Sequence, residues 1–185
     1  GFEKDEVKLT TVRNIALIVG ADGAFSSVRQ QMSKLGVFDS SQKFISHGYS
    51  ELSIPPLDGK FALEESLKGG LEPEDADQVQ GLHIWSRKDF MLIALPNHDK
   101  SYTATLFFRF KSKSNNKPGY DLLKTDSDID TFFREQFPDA YDVIPDVVSD
   151  FKSWPASGLV TVKCSPHHYG NKALLIGDAA HAIVP

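Results

Sequence analysis

A chain of 185 residues is long enough to bury one ordinary core. With 41% hydrophobic and 24% charged residues it falls in the globular class, and a net charge of −5 argues against nucleic acid or an anionic membrane as its main partner. The single cysteine, Cys164, excludes an internal disulfide and points to a reducing compartment, and no apolar run is long enough to span a bilayer.

In chain order, no signal peptide is visible, and the start Gly1-Phe2-Glu3-Lys4 reads as a cut within a longer chain. Residues 15–19 form a wholly apolar run closed by Gly20, as expected of a parallel strand buried on both faces. A tight turn, Ala21-Asp22-Gly23-Ala24, follows. Ser26 or Ser27 then caps a predicted helix carrying Val28, Met32 and Leu35, with Gly36 as its stop. Residues 47–54 alternate and end at Pro55-Pro56. Residues 64–80 form an acidic insertion. Residues 81–85 and 90–95 read as a hairpin joined by Ser86-Arg87-Lys88-Asp89. Residues 101–110 set Thr103, Thr105 and Phe107 on one face and Tyr102, Ala104, Leu106 and Phe108 on the other.

After a loose loop at 111–119, residues 126–137 carry Ile129, Phe132, Phe133 and Phe137 at helical spacing and stop at Pro138. A second short helix is predicted at 141–149 and a strand at 159–163. Residues 173–176 repeat the buried-strand pattern and run into Gly177-Asp178-Ala179-Ala180-His181, a turn opening a helix. The end at Ile183-Val184-Pro185 also reads as a cut. The predicted class is α/β (α+β): two strand–turn–helix units of the doubly wound type bracket a mostly antiparallel sheet. The expected divisions are 1–40, 41–156 and 157–185.

Two strings carry chemistry. In the first, an apolar strand delivers Asp22-Gly23 to a sheet's carboxyl edge. The following helix points N–H groups at any nearby anion, and Arg29 could add charge toward a phosphate. In the second, Asp178 sits where a strand becomes a helix, so its carboxylate can accept hydrogen bonds from ribose hydroxyls while Ala179 and Ala180 allow close approach. Each aspartate can equally be an N-cap, a role compatible with ligand binding. No GxGxxG occurs. His167-His168 are adjacent and diverge on a strand, and Cys164 lacks a partner at zinc-site spacing, so metal binding is not expected.

The string Asp22-Gly23-Ala24-Phe25-Ser26-Ser27-Val28-Arg29 resembles the "DG" motif of the group A flavoprotein aromatic hydroxylases, and Gly177-Asp178-Ala179-Ala180-His181 resembles their "GD" motif. Within them, His47-Gly48-Tyr49-Ser50-Glu51-Leu52, Leu82-His83-Ile84-Trp85, Phe90-Met91-Leu92-Ile93-Ala94-Leu95-Pro96-Asn97 and Val162-Lys163-Cys164-Ser165 are similar to the kynurenine 3-monooxygenase family, over nearly the whole chain. The resemblance implies parts of a Rossmann-like FAD-binding fold around a substrate-domain sheet. It implies FAD as cofactor and NADPH as co-substrate, with L-kynurenine and O2 turned over to 3-hydroxykynurenine through a flavin C4a-hydroperoxide.

It further implies that Asp178 and Gly177 hold the ribityl or ribose part of FAD, that Asp22, Gly23 and Arg29 support FAD and the approach of NADPH, and that Pro185 begins the segment nearing the flavin ring. Leu82, Met91, Ile93, Leu95 and Phe107 match residues lining the aromatic substrate pocket, although ordinary core packing is the commoner fate of such side chains. No catalytic side chain is implied. The substrate-carboxylate residues and a membrane anchor would lie outside the chain, and the implied location is the cytosolic face of the mitochondrial outer membrane. Arg109, two residues from Phe107, is a local candidate for the carboxylate. Another group A hydroxylase, or a non-catalytic flavin-fold binding protein, is the alternative.

Overall fold

The computed structural model describes residues 10–63, 81–113 and 117–184; the acidic insertion at 64–80 and Pro185 lie outside the described residues. The chain divides into two compact units, Gly1–Phe44 with Val160–Pro185, and Ile45–Leu159.

In the first unit, β1 (Ile18–Gly20) pairs in parallel with β8 (Ala173–Leu175), which pairs antiparallel with β7 (His168–Tyr169). Helix α1 (Ser27–Met32) follows β1, and α5 (Asp178–His181) follows β8. The small core joins Met32, Leu175, Ala179 and Ala180. Gly20 makes this packing possible: a β-carbon there would lie 2.8 Å from both Leu175 and Val28, so only glycine lets α1 sit this close to the strand pair.

The expectation of a strand at 15–19 buried on both faces is corrected. The strand is Ile18–Gly20, and Ile18 and Val19 are 46% and 48% exposed. β1 is the edge of its three-stranded sheet, and α1 covers it only near Gly20. In β8 likewise only Leu175 is buried. Helix α1 stops at Met32, leaving Leu35 beyond it and exposed.

The other sheet has the strand order β3 (His83–Arg87), β4 (Phe90–Pro96), β5 (Tyr102–Arg109), β2 (Asp39–Ile54) and β6 (Ser157–Ser165). β3–β4, β4–β5 and β5–β2 are antiparallel. β2 begins at Asp39 rather than at residue 47; its polar first half carries no apolar alternation to mark it. The β3–β4 hairpin turns on Lys88-Asp89, with Lys88 left-handed at φ 47°.

Among the described residues, one face of this sheet packs on the helices α2 (Asp126–Gln136), α3 (Pro138–Tyr141) and α4 (Val147–Ser153). Ile129, Phe132 and Phe133 form the buried stripe of α2, and Phe108 packs 5.0 Å from Phe132 by ring centroids. Thr125 and Asp128 form a reciprocal capping box at the start of α2. At its end, Arg87 donates from Nε and Nη2 to the Gln136 carbonyl at 2.9 and 2.6 Å, which satisfies an otherwise orphaned acceptor. The helix predicted at 141–149 is instead two. Pro145 lacks an N–H and disfavours helix in the residue before it, and Asp146 starts α4 afresh by accepting from the Ser149 N–H at 3.0 Å.

Candidate functional site

The two aspartate turns leave the same edge of the first unit's sheet. Gly20 is in register with Leu175 on adjacent parallel strands, and the ladder continues from the Ile176 N–H to the Gly20 carbonyl at 3.0 Å. Two residues past Gly20 stands Asp22, and three past Leu175 stands Asp178. One guanidinium spans both turns: Arg29 donates from Nη1 to the Ala179 carbonyl at 2.6 Å and from Nη2 to the Ala24 carbonyl at 2.5 Å. The turns, about 150 residues apart in sequence, therefore lie within the reach of a single side chain.

The aspartates differ in what they do for the protein. Ser26 is the N-cap of α1, its Oγ accepting from the Arg29 N–H at 2.9 Å, and Asp22 Oδ2 adds to the cap by accepting from the Ser27 and Val28 N–H groups at 2.7 and 3.2 Å. A hydrogen bond from Ser26, followed by those backbone donors, holds its carboxyl below the usual range. Asp178 is the first residue of α5, is exposed, and makes no hydrogen bond through its carboxylate among the described residues. Gly177 before it has φ 59° and ψ −145°, a conformation open essentially to glycine alone. Gly23 has φ 77° with open space where a side chain would stand. Ala179 and Ala180 are buried behind Asp178.

Arg29 departs from the expected phosphate-facing role. It is 4% exposed and bonded to two backbone carbonyls, so its work is to tie the two turns together. Pro185 lies outside the described residues. The Cys164 thiol contacts the Ala180 carbonyl at 3.2 Å, and burial pushes its pKa up, away from a reactive thiolate. His181 is exposed, with its ring 5.9 Å from that of His167. Among the described residues no group of three or more His, Cys, Asp or Glu is placed to hold a metal ion.

The second unit presents the other candidate surface. Strand parity puts Met91, Ile93 and Leu95 of β4 on the sheet face opposite the helices, together with Phe107 of β5. Met91 is in register with Phe107, which is in register with Tyr49; Ile93 is in register with Ile84. Leu82 lies just before β3 and is about half exposed, as are Ile84 and Leu95. Among the described residues, this unit's helices pack on the other face and leave this one open. The resemblance implied Met91, Ile93, Leu95 and Phe107, and parity set the first three on one strand face; neither pointed to Tyr49 or Ile84, which register across the sheet places beside them.

Arg109 also lies on this face, but Asp89 holds it. Nε meets Asp89 Oδ2 at 2.8 Å, Nη2 meets Oδ1 at 3.1 Å, and Nη1 donates to Ser46 Oγ at 3.0 Å. Arg109 is thus not a free carboxylate receptor. Hydrogen bonding from Arg109, with the charges of Lys117 and His47 beside it, holds the Asp89 carboxyl down to about 2 from an ordinary 3.8. The folded pKa being the lower one, this pair's contribution is complete above 3.8 and is lost as pH falls through about 2. Acid unfolding followed by circular dichroism should show that loss in wild-type protein and not in Asp89→Asn; identical acid limbs would contradict it.

Comparison with known proteins adds to these findings. No family model matches the chain. It is 46% identical over 170 residues to a kynurenine 3-monooxygenase from Dictyostelium discoideum, covering 91% of this chain and 33% of that protein. With the enzyme of that name from Sus scrofa the identity is 43% over 171 residues (91% and 32%), and with that from Drosophila melanogaster 41% over 184 residues (98% and 35%). The chain spans about a third of the length of the curated relatives it matches. In fold it resembles the tetrameric form of 2-methyl-3-hydroxypyridine-5-carboxylic acid oxygenase, with TM-score 0.62 and 21% identity over 92% of this chain and 39% of that one. It also resembles Klebsiella pneumoniae HpxO complexed with FAD and uric acid, with TM-score 0.59 and 15% identity over 91% and 37%. The α/β architecture with its antiparallel sheet is therefore a fold that this chain shares with part of each of these two proteins.

Proposed function

We propose that this chain is a segment of an FAD-dependent hydroxylase of the kynurenine 3-monooxygenase type, which converts L-kynurenine to 3-hydroxykynurenine with NADPH and O2. The observation that carries the reading is the pairing of β1 with β8. It brings an Asp-Gly and a Gly-Asp turn to one edge, where one arginine joins them. The relatives at 41–46% identity support the choice of substrate.

The residues present fit FAD. Asp178 offers an exposed carboxylate free to accept from ribityl or ribose hydroxyls, Gly177 holds the turn in a conformation that removes side-chain bulk, and the buried alanines keep the helix start low. Asp22 and Gly23 form the neighbouring wall; Asp22 acts by holding α1 in place, and Arg29 by locking the two turns. When bound, FAD would supply the redox chemistry, taking electrons from NADPH and activating O2, one of whose oxygen atoms goes to the ring and the other to water.

What this chain would add is orientation and dryness. Leu82, Met91, Ile93, Leu95 and Phe107 form an apolar wall, suited to holding an aromatic ring flat and keeping water from a reactive oxidant. The ring amino group of kynurenine already donates electrons to its ortho carbon, so no protein base is assigned. Location at the mitochondrial outer membrane belongs to the same reading and rests on chain beyond this segment; among the described residues no helix is long and apolar enough to cross a membrane.

Full-length protein, loaded with FAD and given NADPH, should form 3-hydroxykynurenine from L-kynurenine as followed by chromatography. NADPH oxidation with another aromatic acid hydroxylated in its place would assign a different substrate. Flavin retention with NADPH consumed and no hydroxylated product would indicate a protein that has kept the scaffold and lost the reaction.

A further inference from the structure

We propose that Asp89 and Arg109 form a positioning pair that fixes the Met91–Phe107–Tyr49 row of the open sheet face and thereby sets how firmly the substrate ring is held; this rests on the hydroxylase reading above. The β4–β5 register pairs Met91 with Phe107, and carried one step further along the face it sets Asp89 opposite Arg109. On the other side Arg109 is in register with His47, and Phe107 with Tyr49. A polar row, Asp89–Arg109–His47, thus lies directly against the apolar row Met91–Phe107–Tyr49, in which the rings of Tyr49 and Phe107 are 6.5 Å apart.

The polar row is tightly tied. Arg109 makes a two-pronged bond to Asp89 and a third bond to Ser46, and its side chain is only 7% exposed. His47 Nε2 lies 3.1 Å from the Asp89 carbonyl, and Lys117 Nζ lies 3.5 Å from Asp89 Oδ1. Asp89 stands in the two-residue turn of the β3–β4 hairpin, whose other turn residue, Lys88, is left-handed. The fork geometry of the guanidinium fixes the turn laterally, which a single point charge would not do. Met91 is two residues from Asp89 and Phe107 two residues from Arg109, so any lateral slip of the hairpin end moves Met91 against Phe107. With its donors turned to Asp89 and Ser46, Arg109 acts through its neighbours and does not touch substrate.

The test uses full-length, FAD-loaded enzyme and reads KM for L-kynurenine, kcat for NADPH oxidation, and the fraction of oxidised NADPH recovered as hydroxylated product. In Asp89→Asn, KM should rise about fivefold or more and coupling should fall by at least half, while flavin content and kcat stay within about twofold of wild type, a split of uniform binding from turnover. Asp89→Glu, which keeps the charge, should recover most of the coupling. Unchanged KM and coupling in Asp89→Asn overturns the proposal, and so does a parallel loss of flavin, kcat and coupling that Asp89→Glu does not relieve. If Asp89→Asn does not fold, Arg109→Lys carries the same readout: raised KM with retained flavin supports the proposal, and wild-type values overturn it. Wild-type enzyme that holds FAD but leaves L-kynurenine untouched defeats the hydroxylase reading itself, whereas normal wild-type turnover with unaffected variants defeats only the positioning role.

Discussion

Asp178→Ala, made in the full-length protein, is expected to purify with less than about a tenth of the wild-type flavin. The side chain is exposed at the start of α5 and hydrogen-bonds no described residue, so its loss leaves no protein partner unsatisfied. On the proposed reading its contribution goes to the cofactor. Charge-assisted hydrogen bonds to hydroxyls contribute about 1.5–3 kcal/mol each, and even one such bond corresponds to about tenfold or more in affinity. Asp178→Asn keeps one acceptor oxygen and should lose less. Asp22→Ala is the informative contrast. Its carboxylate adds to the cap of α1, so the variant should lose about 1 kcal/mol of stability, with any effect on flavin following from the loosened turn. Absorbance at the flavin maximum per mole of protein, with thermal melting, separates the two. Unchanged flavin content in Asp178→Ala would remove that residue from the cofactor site.

Arg29→Met is expected to cost about 3 kcal/mol and to release flavin as well. The guanidinium is buried and supplies donors to the carbonyls of Ala179 and Ala24. Removing it leaves those acceptors without their partner in a small core built of Met32, Leu175, Ala179 and Ala180. Arg29→Lys retains the charge but replaces the planar fork with one ammonium, which cannot hold both carbonyls in the same geometry, so it should fall between the two. Melting temperature and flavin dissociation constant should move together across the series. A variant with wild-type melting but weakened flavin binding would instead return Arg29 to the phosphate-facing role that its place in the sequence suggested.

Much of this arrangement was readable before any coordinates, for local reasons. Glycines at 20 and 177 after short apolar runs mark strand ends, and an aspartate one or two residues after each marks a turn at a sheet edge. Alternation along β5 sorted its two faces correctly because one side packs on helices: Ala104, Leu106 and Phe108 are fully buried, while Phe107 is not. Ile129, Phe132, Phe133 and Phe137 at helical spacing, stopped by Pro138, announced α2, while its Thr125–Asp128 capping box went unread. The unread parts are mostly long-range. Nothing local tells Arg29 that its acceptor is Ala179. The polar half of β2 is strand through pairing and not through its own pattern. The exposure of Ile18 and Val19 shows that an apolar run reports a need for cover without saying what supplies it. The Asp89–Arg109 pair was within reach of the sequence, since a two-residue turn at 88–89 fixes the β3–β4 register, but only if β5 is first placed beside β4.

The most direct test is a crystal structure of the full-length protein with FAD bound. The cofactor's ribose or ribityl hydroxyls should lie within hydrogen-bond reach of the Asp178 carboxylate, beside the Asp22-Gly23 turn and along the edge that Arg29 ties together. FAD found at any other surface, with Asp178 facing bulk solvent, would contradict the account.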